Sequence, residues 1–225
     1  MYPDVMSEDL TIDMALGGMS VSRFGDGEIM LMTGRSIPYN EWSQQLQDEL
    51  IAVAGCTDTG LLKCIPNIYK SHRKAWVQQY EQYGYLFPGS LYGSQFINRP
   101  DSAPWTDTDE FRGKVRRLWK DRNVVLVYGT QTGKKKSLTP DMLWDAASVT
   151  PVLCEPINAY SSIDSIEERI VSSVAGEQAI VVMCLGPTAT VLASRLQKKH
   201  SIWSVDLGLI GAFIERTKDS PPLPR

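Results

Sequence analysis

The sequence is poor in histidine, in paired cysteines, in long apolar runs and in net charge, and each shortage closes off a class of function. Its 225 residues contain two histidines, His72 and His200. Neither lies near the end of an apolar run, and no Ser-His-Asp or Cys-His set suggests itself, so a nucleophilic triad is not indicated. Cys56, Cys64, Cys154 and Cys184 are scattered without Cys-x-x-Cys spacing. Two of them sit inside strand-like apolar runs, which fits reduced core residues better than a disulfide frame or a zinc site and points to a reducing cytoplasm. The opening "MYPDVMSEDL" has no basic region followed by an apolar core, and no apolar stretch reaches the roughly 18 residues of a membrane span. A net charge of -3 and a pI of about 5.5 supply no global field that would draw the chain to nucleic acid or anionic lipid.

What remains is a globular composition, 43% hydrophobic and 22% charged, in a chain long enough to bury most of its surface as one domain. No repeat or linker divides it. We expect a domain over residues 1–215 and a loosely attached tail over 216–225, where "SPPLPR" ends the chain.

The second half alternates. "TDTDEFRGKVRRLWKDR" carries Phe111, Val115, Leu118 and Trp119 at helical spacing, with acids first and bases last, as the helix dipole prefers. "NVVLVYG" reads as a buried strand, "PDMLWDAASV" as a short helix with Pro140 in its first turn, and "PVLCEP" as a strand. "SSIDSIEERIVSSVA" presents Ile163, Ile166, Ile170, Val171 and Val174 on one face. "AIVVMCLG", "PTATVLASRLQKK" and "SIWSVDLG" follow as strand, helix and strand. Continuous rather than alternating apolar strands predict an α/β fold: a mostly parallel sheet with helices on both faces. In the first half, "SVSRFGDGEIMLM" predicts a strand and helix, "EWSQQLQDELIAVA" an amphipathic helix and "LLKCIP" a short strand. Residues 67–105 have no clear period and read as helix plus loops.

Three strand ends stop at glycine and polar residues: Gly25-Asp26-Gly27-Glu28, Gly129-Thr130-Gln131-Thr132-Gly133 and Gly186-Pro187-Thr188. In a parallel sheet such turns share one edge, where ligands bind. Glycine lets backbone approach a phosphate, helix-opening amides donate to it, and Thr188 adds a hydroxyl. A phosphate-bearing ligand is the inference. Asp26 and Glu28, read as extended chain, point the same way, and a hard cation such as Mg2+ or Mn2+ between them and phosphate oxygens would relieve their repulsion. Alternatively Asp26 caps a helix and Glu28 occupies its first turn. "GTQTGKKKS" misses the P-loop pattern twice, in glycine spacing and in the residue after Lys134. Its lysines, and Lys114, Arg116, Arg117, Lys120 and Arg122, read equally well as solvated faces.

Together, "SRFGDGE", "FINRP", "YGTQTG" with "DMLWDAA", "LCEPINAY", "CLGPTATVLASRL" and "SVDLG" resemble, in that order over residues 20–210, the GT-D glycosyltransferases. The resemblance implies a Rossmann-like fold, a UDP-sugar donor (with glucose as the sugar) and an Asp-x-Glu motif acting with a divalent metal, usually Mn2+. Carried onto this chain, the motif is Asp26 and Glu28, both as catalytic and as metal-binding residues. Donor contacts are then expected from Arg23, Gly27, Arg99, Gly129, Thr132, Asn158, Gly186 and Thr188, and Asp206 is the candidate acceptor base. Where family members tend to place His after the final Asp-x-Gly, this chain has Leu209, a departure on the acceptor side. Expected acceptors are a glycan or glycoprotein, or DNA with a hydroxylated base; self-association is left open. The rival readings are a P-loop-like nucleotide kinase and a noncatalytic nucleotide-binding module.

Overall fold

The computed structural model describes residues 2–67, 73–89, 91–98, 108–129, 138–174 and 178–214. Eight strands form one sheet: β1 (Asp4–Val5), β2 (Ser20–Arg23), β3 (Leu61–Ile65), β4 (Leu91–Ser94), β5 (Asn123–Gly129), β6 (Ser148–Cys154), β7 (Ala179–Cys184) and β8 (Ser204–Asp206). Their order is β1-β4-β3-β2-β8-β7-β5-β6, and every pairing is parallel. Parallel neighbours need crossovers, which the helices supply: α1 (Glu8–Leu16), α2 (Asp26–Met32), α3 (Gln44–Gly55), α4 (Arg73–Tyr83), α5 (Asp109–Arg116), α6 (Ile163–Val174), α7 (Pro187–His200) and the single turn α8 (Gly211–Ile214).

Central strands are apolar on both sides because both faces are covered. Val124–Val127 of β5 and Ile180–Met183 of β7 are buried throughout. One core joins the sheet to α2, α3, α6 and α7 through Ile29, Leu46, Leu50, Ile166, Ile170, Val191 and Leu196. The opposite core joins it to α1 and α5 through Ile12, Phe111, Val115 and Trp119. Edge strand β6 tolerates Pro151, as an edge can. The four cysteines are free thiols, three of them buried, and burial pushes the Cys154 thiol up to about 11 and that of Cys184 to about 12.

One expected helix is not formed. Residues Pro140–Leu143 make a single 3-10 turn, after which Lys120 and Ala146 pair as an antiparallel bridge. Asp145 accepts the Trp119 indole N–H at 2.8 Å while its carbonyl accepts from Asp121 N at 2.8 Å. Backbone groups that a helix would use are thereby spent on the α5–β5 turn.

The helices of the first face are clamped by Arg195 on α7. Its Nε and Nη2 grip Glu49 of α3 at 2.7 and 2.5 Å, and its Nη1 reaches Asp164 and Glu167 of α6 at 2.6 and 3.0 Å. Lys199 and His200 also meet Glu167. Burial raises the carboxyls of Glu49 and Glu167, but these donors outweigh it and hold both below the usual range. Carboxylates lowered in the folded state stabilise it above their unfolded pKa and cease to do so as pH falls through the folded one. The clamp therefore weakens below about pH 4.5, the ordinary value for Glu. Arg195→Ala is expected to cost about 3 kcal/mol, chiefly by leaving Glu49 without its cation while Glu167 keeps Lys199 and His200, read as a lower urea midpoint at neutral pH, with the difference from wild type shrinking in acid.

Candidate active site

All strands point one way, so the turns after β2, β4, β5, β7 and β8 share one edge. At its centre Arg23, the last residue of β2, meets Asp206, the last of β8. The guanidinium donates from Nε to the Asp206 carbonyl at 2.8 Å, from Nη2 to Asp206 Oδ1 at 2.9 Å and from Nη1 to the Gln95 carbonyl at 3.3 Å. Gly208 N also donates to Asp206 Oδ1, at 3.1 Å. Arg23 is 8% exposed and Asp206 2%. Burial would lower the arginine pKa, but Asp206 beside it holds it above the ordinary value. Burial raises the Asp206 carboxyl more than Arg23 lowers it. Gly208, at φ +50°, permits this geometry, since a Cβ there would collide with the Arg23 guanidinium and lie 2.7 Å from Asn98 Nδ2. Asp206 thus occupies the place of a buried counter-ion, its Oδ1 already accepting two hydrogen bonds.

Beyond Arg23 the chain turns into α2 through Gly25. Asp26 and Glu28 stand in the first turn of that helix, so the extended-chain reading does not hold, and of the alternative Glu28 is placed as expected while Gly25, not Asp26, is the cap. Two residues apart on a helix is about 200° around the axis, so the side chains diverge. Asp26 is exposed. Glu28 turns back, and its Oε2 accepts from Gly25 N at 2.8 Å, half of a capping box. Burial, with Asp206 nearby, pushes the Glu28 carboxyl up to about 7 against the opposing Gly25 N–H and Arg23.

Among the described residues no three His, Cys, Asp or Glu side chains cluster as a complete metal cage. By chemistry the pair suits Mg2+ or Mn2+, but an ion held by both would need the exposed Asp26 side chain to swing toward Glu28, whose second oxygen is not used by Gly25 N. Such ions commonly bind one or two carboxylates and take the rest of their shell from substrate phosphates and water. Asp26 is open to solvent, and the Glu28 carboxyl, pushed up mainly by burial, stands in the same first turn.

The other expected residues divide. Gly129 closes β5 with its α-carbon against Pro156, where a Cβ would fall 3.0 Å from Pro156 Cα. Gly186 precedes α7 at φ +56°. Thr188 lies at the same turn but is 0% exposed, and its hydroxyl has no hydrogen-bond partner. Asn158, at φ +54°, is the N-cap of the 3-10 turn Ala159–Ser162. It anchors the segment before α3, its Oδ1 accepting from Glu41 N at 2.6 Å and its own N donating to the Tyr39 carbonyl at 3.1 Å. Arg99, Thr132 and Lys134–Lys136 lie outside the described residues.

Of three more residues at this edge, Gln95 and Tyr39 had no signal in the sequence beyond their place between elements, and Asn98 lies in "FINRP" but was not singled out as a site residue. Gln95 and Asn98, in the turn after β4, have buried side-chain oxygens without hydrogen-bond partners. Gln95 Nε2 lies 3.0 Å from where a Gly25 Cβ would stand. Tyr39 leans between Gly27 and Gly186, and burial, then Glu28 and Asp26, push its phenol up to about 12.

The fold and edge define a three-layer α/β protein whose ligand site lies at the carboxyl ends of a parallel sheet. Its sequence matches the family model described as the glycosyltransferase GT-D fold over residues 21–216, and the chain belongs to that family. It is 29% identical over 226 residues to "Probable glycosyl transferase Gly" of Streptococcus gordonii, covering 94% of this chain and 32% of that protein. It is 27% identical to "Glycosyltransferase GlyD" of Streptococcus pneumoniae, covering 93% of this chain and 27% of the relative. The chain therefore spans a third or less of the length of these relatives. A solved structure described as a conserved domain of unknown function 1792 with a distinct glycosyltransferase fold superposes with a TM-score of 0.81 at 28% identity, over 95% of this chain and 80% of that one. Another, described as a new glycosyltransferase from Streptococcus sanguinis, superposes with a TM-score of 0.80 at 27% identity, over 95% and 84%.

Removing Asp206 leaves Arg23 buried without a counter-ion. Asp206→Ala is expected to lower unfolding stability by about 3–5 kcal/mol. Arg23→Met with Asp206→Leu should lose less than Asp206→Ala alone, as measured by urea unfolding of the three variants.

Proposed function

We propose that this chain transfers a sugar, glucose first among candidates, from a UDP-sugar to a hydroxyl on a glycan or glycoprotein, with Mn2+ or Mg2+ bound by Asp26 and Glu28. The observation that carries this is the placement of an exposed Asp26 and an under-compensated Glu28 at the sheet edge where β2, β5 and β7 also end. The family membership supports it. The metal, when bound, supplies positive charge to the diphosphate leaving group.

The chain's own residues do the rest. Gly186 and the Thr188 N–H at the opening of α7 offer backbone donors and the positive end of a helix to the phosphates, and Gly129 is a proposed donor contact on the strength of the family motif. Arg23, fixed by Asp206, is a permanent positive charge behind the acidic turn, so phosphate oxygens meet a preorganised field rather than one that must be assembled. Arg99 and Thr132 are proposed donor contacts on the strength of the family motif. Asp206 serves by holding Arg23.

Carbohydrate is favoured over DNA as acceptor because basic residues of the α5 region are engaged within the fold. Lys114 pairs with Asp9 and Asp13 at 2.6 and 2.8 Å. The guanidinium groups of Arg116 and Arg122 lie over the rings of Trp144 and Trp203, each at 5.2 Å. No helix among the described residues is long and apolar enough to cross a membrane.

The deciding experiment measures UDP release from a panel of UDP-sugars with Mn2+, Mg2+ or EDTA. Asp26→Ala is expected to lose about 100-fold in rate, the scale of removing one charge-stabilising group. Glu28→Gln separates the two readings of the pair, since the amide oxygen can still accept from Gly25 N. We expect its melting temperature to stay close to wild type while metal-dependent release falls by a similar factor. Full activity in Glu28→Gln would reduce Glu28 to a helix cap.

A further inference from the structure

Tyr39 is built the wrong way round for a structural tyrosine. A packing tyrosine buries its ring and finds a partner for its hydroxyl. Here the residue is 48% exposed, while the hydroxyl is turned inward toward the first turn of α2 and has no hydrogen-bond partner among the described residues. Two glycines make room for it. A Cβ on Gly27 would stand 3.0 Å from the hydroxyl, and one on Gly186 would stand 3.2 Å from ring atom Cε2. Gly27 is the informative one, because it has no positive φ that would demand glycine. Within a helix, glycine costs about 1 kcal/mol relative to alanine. The close approach of Tyr39 accounts for its presence.

The segment that carries Tyr39 is held in place independently of the ring. Ile37 and Asn40 exchange backbone hydrogen bonds at 2.9 and 3.2 Å, Trp42 N donates to Ser36 Oγ at 2.9 Å, and Asn158 pins both Tyr39 O and Glu41 N. A half-exposed ring with an unused inward hydroxyl is thus presented on a fixed support between the acidic turn and the Gly186 turn.

We propose that Tyr39 is a substrate-contacting residue that positions the transferred sugar, its ring forming one wall of the sugar site and its hydroxyl hydrogen-bonding the sugar. This rests on the nucleotide-sugar reading above. The donor sugar, rather than the acceptor, is assigned because Tyr39 bridges the two turns that would hold the diphosphate, and the sugar is the group attached directly beyond it. Trp42, farther along the segment, spends its indole N–H on Gln47 Oε1 at 2.9 Å and is a support.

Calorimetric titration with UDP and with UDP-glucose, both with Mn2+, tests this in wild type, Tyr39→Ala and Tyr39→Phe, with thermal melting as the control for folding. Expected is UDP affinity within about twofold of wild type in both variants. UDP-glucose affinity should fall about tenfold in Tyr39→Ala, the upper range of an aromatic contact, and by a smaller factor in Tyr39→Phe, which keeps the ring. Tyr39→Leu, which retains apolar cover on Gly186, replaces Tyr39→Ala if that variant does not fold. A folded variant lacking the ring that binds UDP-glucose as wild type does overturns the assignment and leaves the glycosyltransferase reading standing. Wild-type protein that binds neither UDP nor UDP-glucose overturns both.

Discussion

The pairing of Arg23 with Asp206 lies on the seam where the two halves of the sheet meet. On one side stand β2, β3 and β4, and on the other β8, β7, β5 and β6. Across that seam the strands share a single residue pair in register, Val21 with Val205, whereas β5 and β7 share six. So short a backbone ladder needs side chains to hold it. Besides the buried ion pair, Ser204 N donates to Ser20 Oγ, and α7 straddles the seam through Ser22 Oγ to the Thr190 carbonyl and Thr190 Oγ1 to the Arg23 carbonyl, both at 2.8 Å. Polar groups in such a place cost desolvation unless they are satisfied; the bonds named here satisfy their members, while the buried Ser204 hydroxyl beside them has no partner among the described residues.

The candidate site inherits its geometry from that seam. Arg23 ends β2 two residues before Gly25 opens α2, so a guanidinium fixed by Asp206 also fixes where Asp26 and Glu28 begin their helix. The same α7 that crosses the seam starts after Gly186, which shares the Tyr39 side chain with Gly27 of the acidic turn. A ligand edge that combines carboxylates, a locked cation and helix-opening amides would be self-cancelling if mobile. Rigid placement is what lets opposite charges lie close without collapsing onto each other.

Legibility in the sequence followed the length of the hydrophobic period. β5, β7, α6 and α7 were readable because continuous apolar runs and full helical faces are local signals. α1 was not: it buries Glu8 and Thr11 beside Ile12 and Ala15, and Glu8 is met there by Ser94 Oγ, which donates to it at 2.5 Å across 86 residues of chain. β1 and β4, two and four residues long, carry too few side chains to show a period. The turn at Pro140–Leu143 had a helical pattern but lost its backbone partners to the segment before β5. The acidic pair was legible as chemistry and illegible as geometry, since local pattern could not tell an extended chain from a helical first turn.

Residue type and order by themselves determined a parallel α/β sheet, the glycine-ended strands that mark its ligand edge, and the acidic residues that give that edge its chemistry. These are properties of short windows in which neighbours along the chain are also neighbours in space. Only the tertiary structure decided that Asp206 is the buried counter-ion of Arg23, that Glu28 folds back onto Gly25, and that Tyr39 leans over Gly27 and Gly186 on a support pinned by Asn158. Arg23 and Asp206 are 183 residues apart, and Glu41 and Asn158 117. Such pairs are set by strand order and by how far each side chain is withdrawn from water, quantities that exist only once the chain has folded.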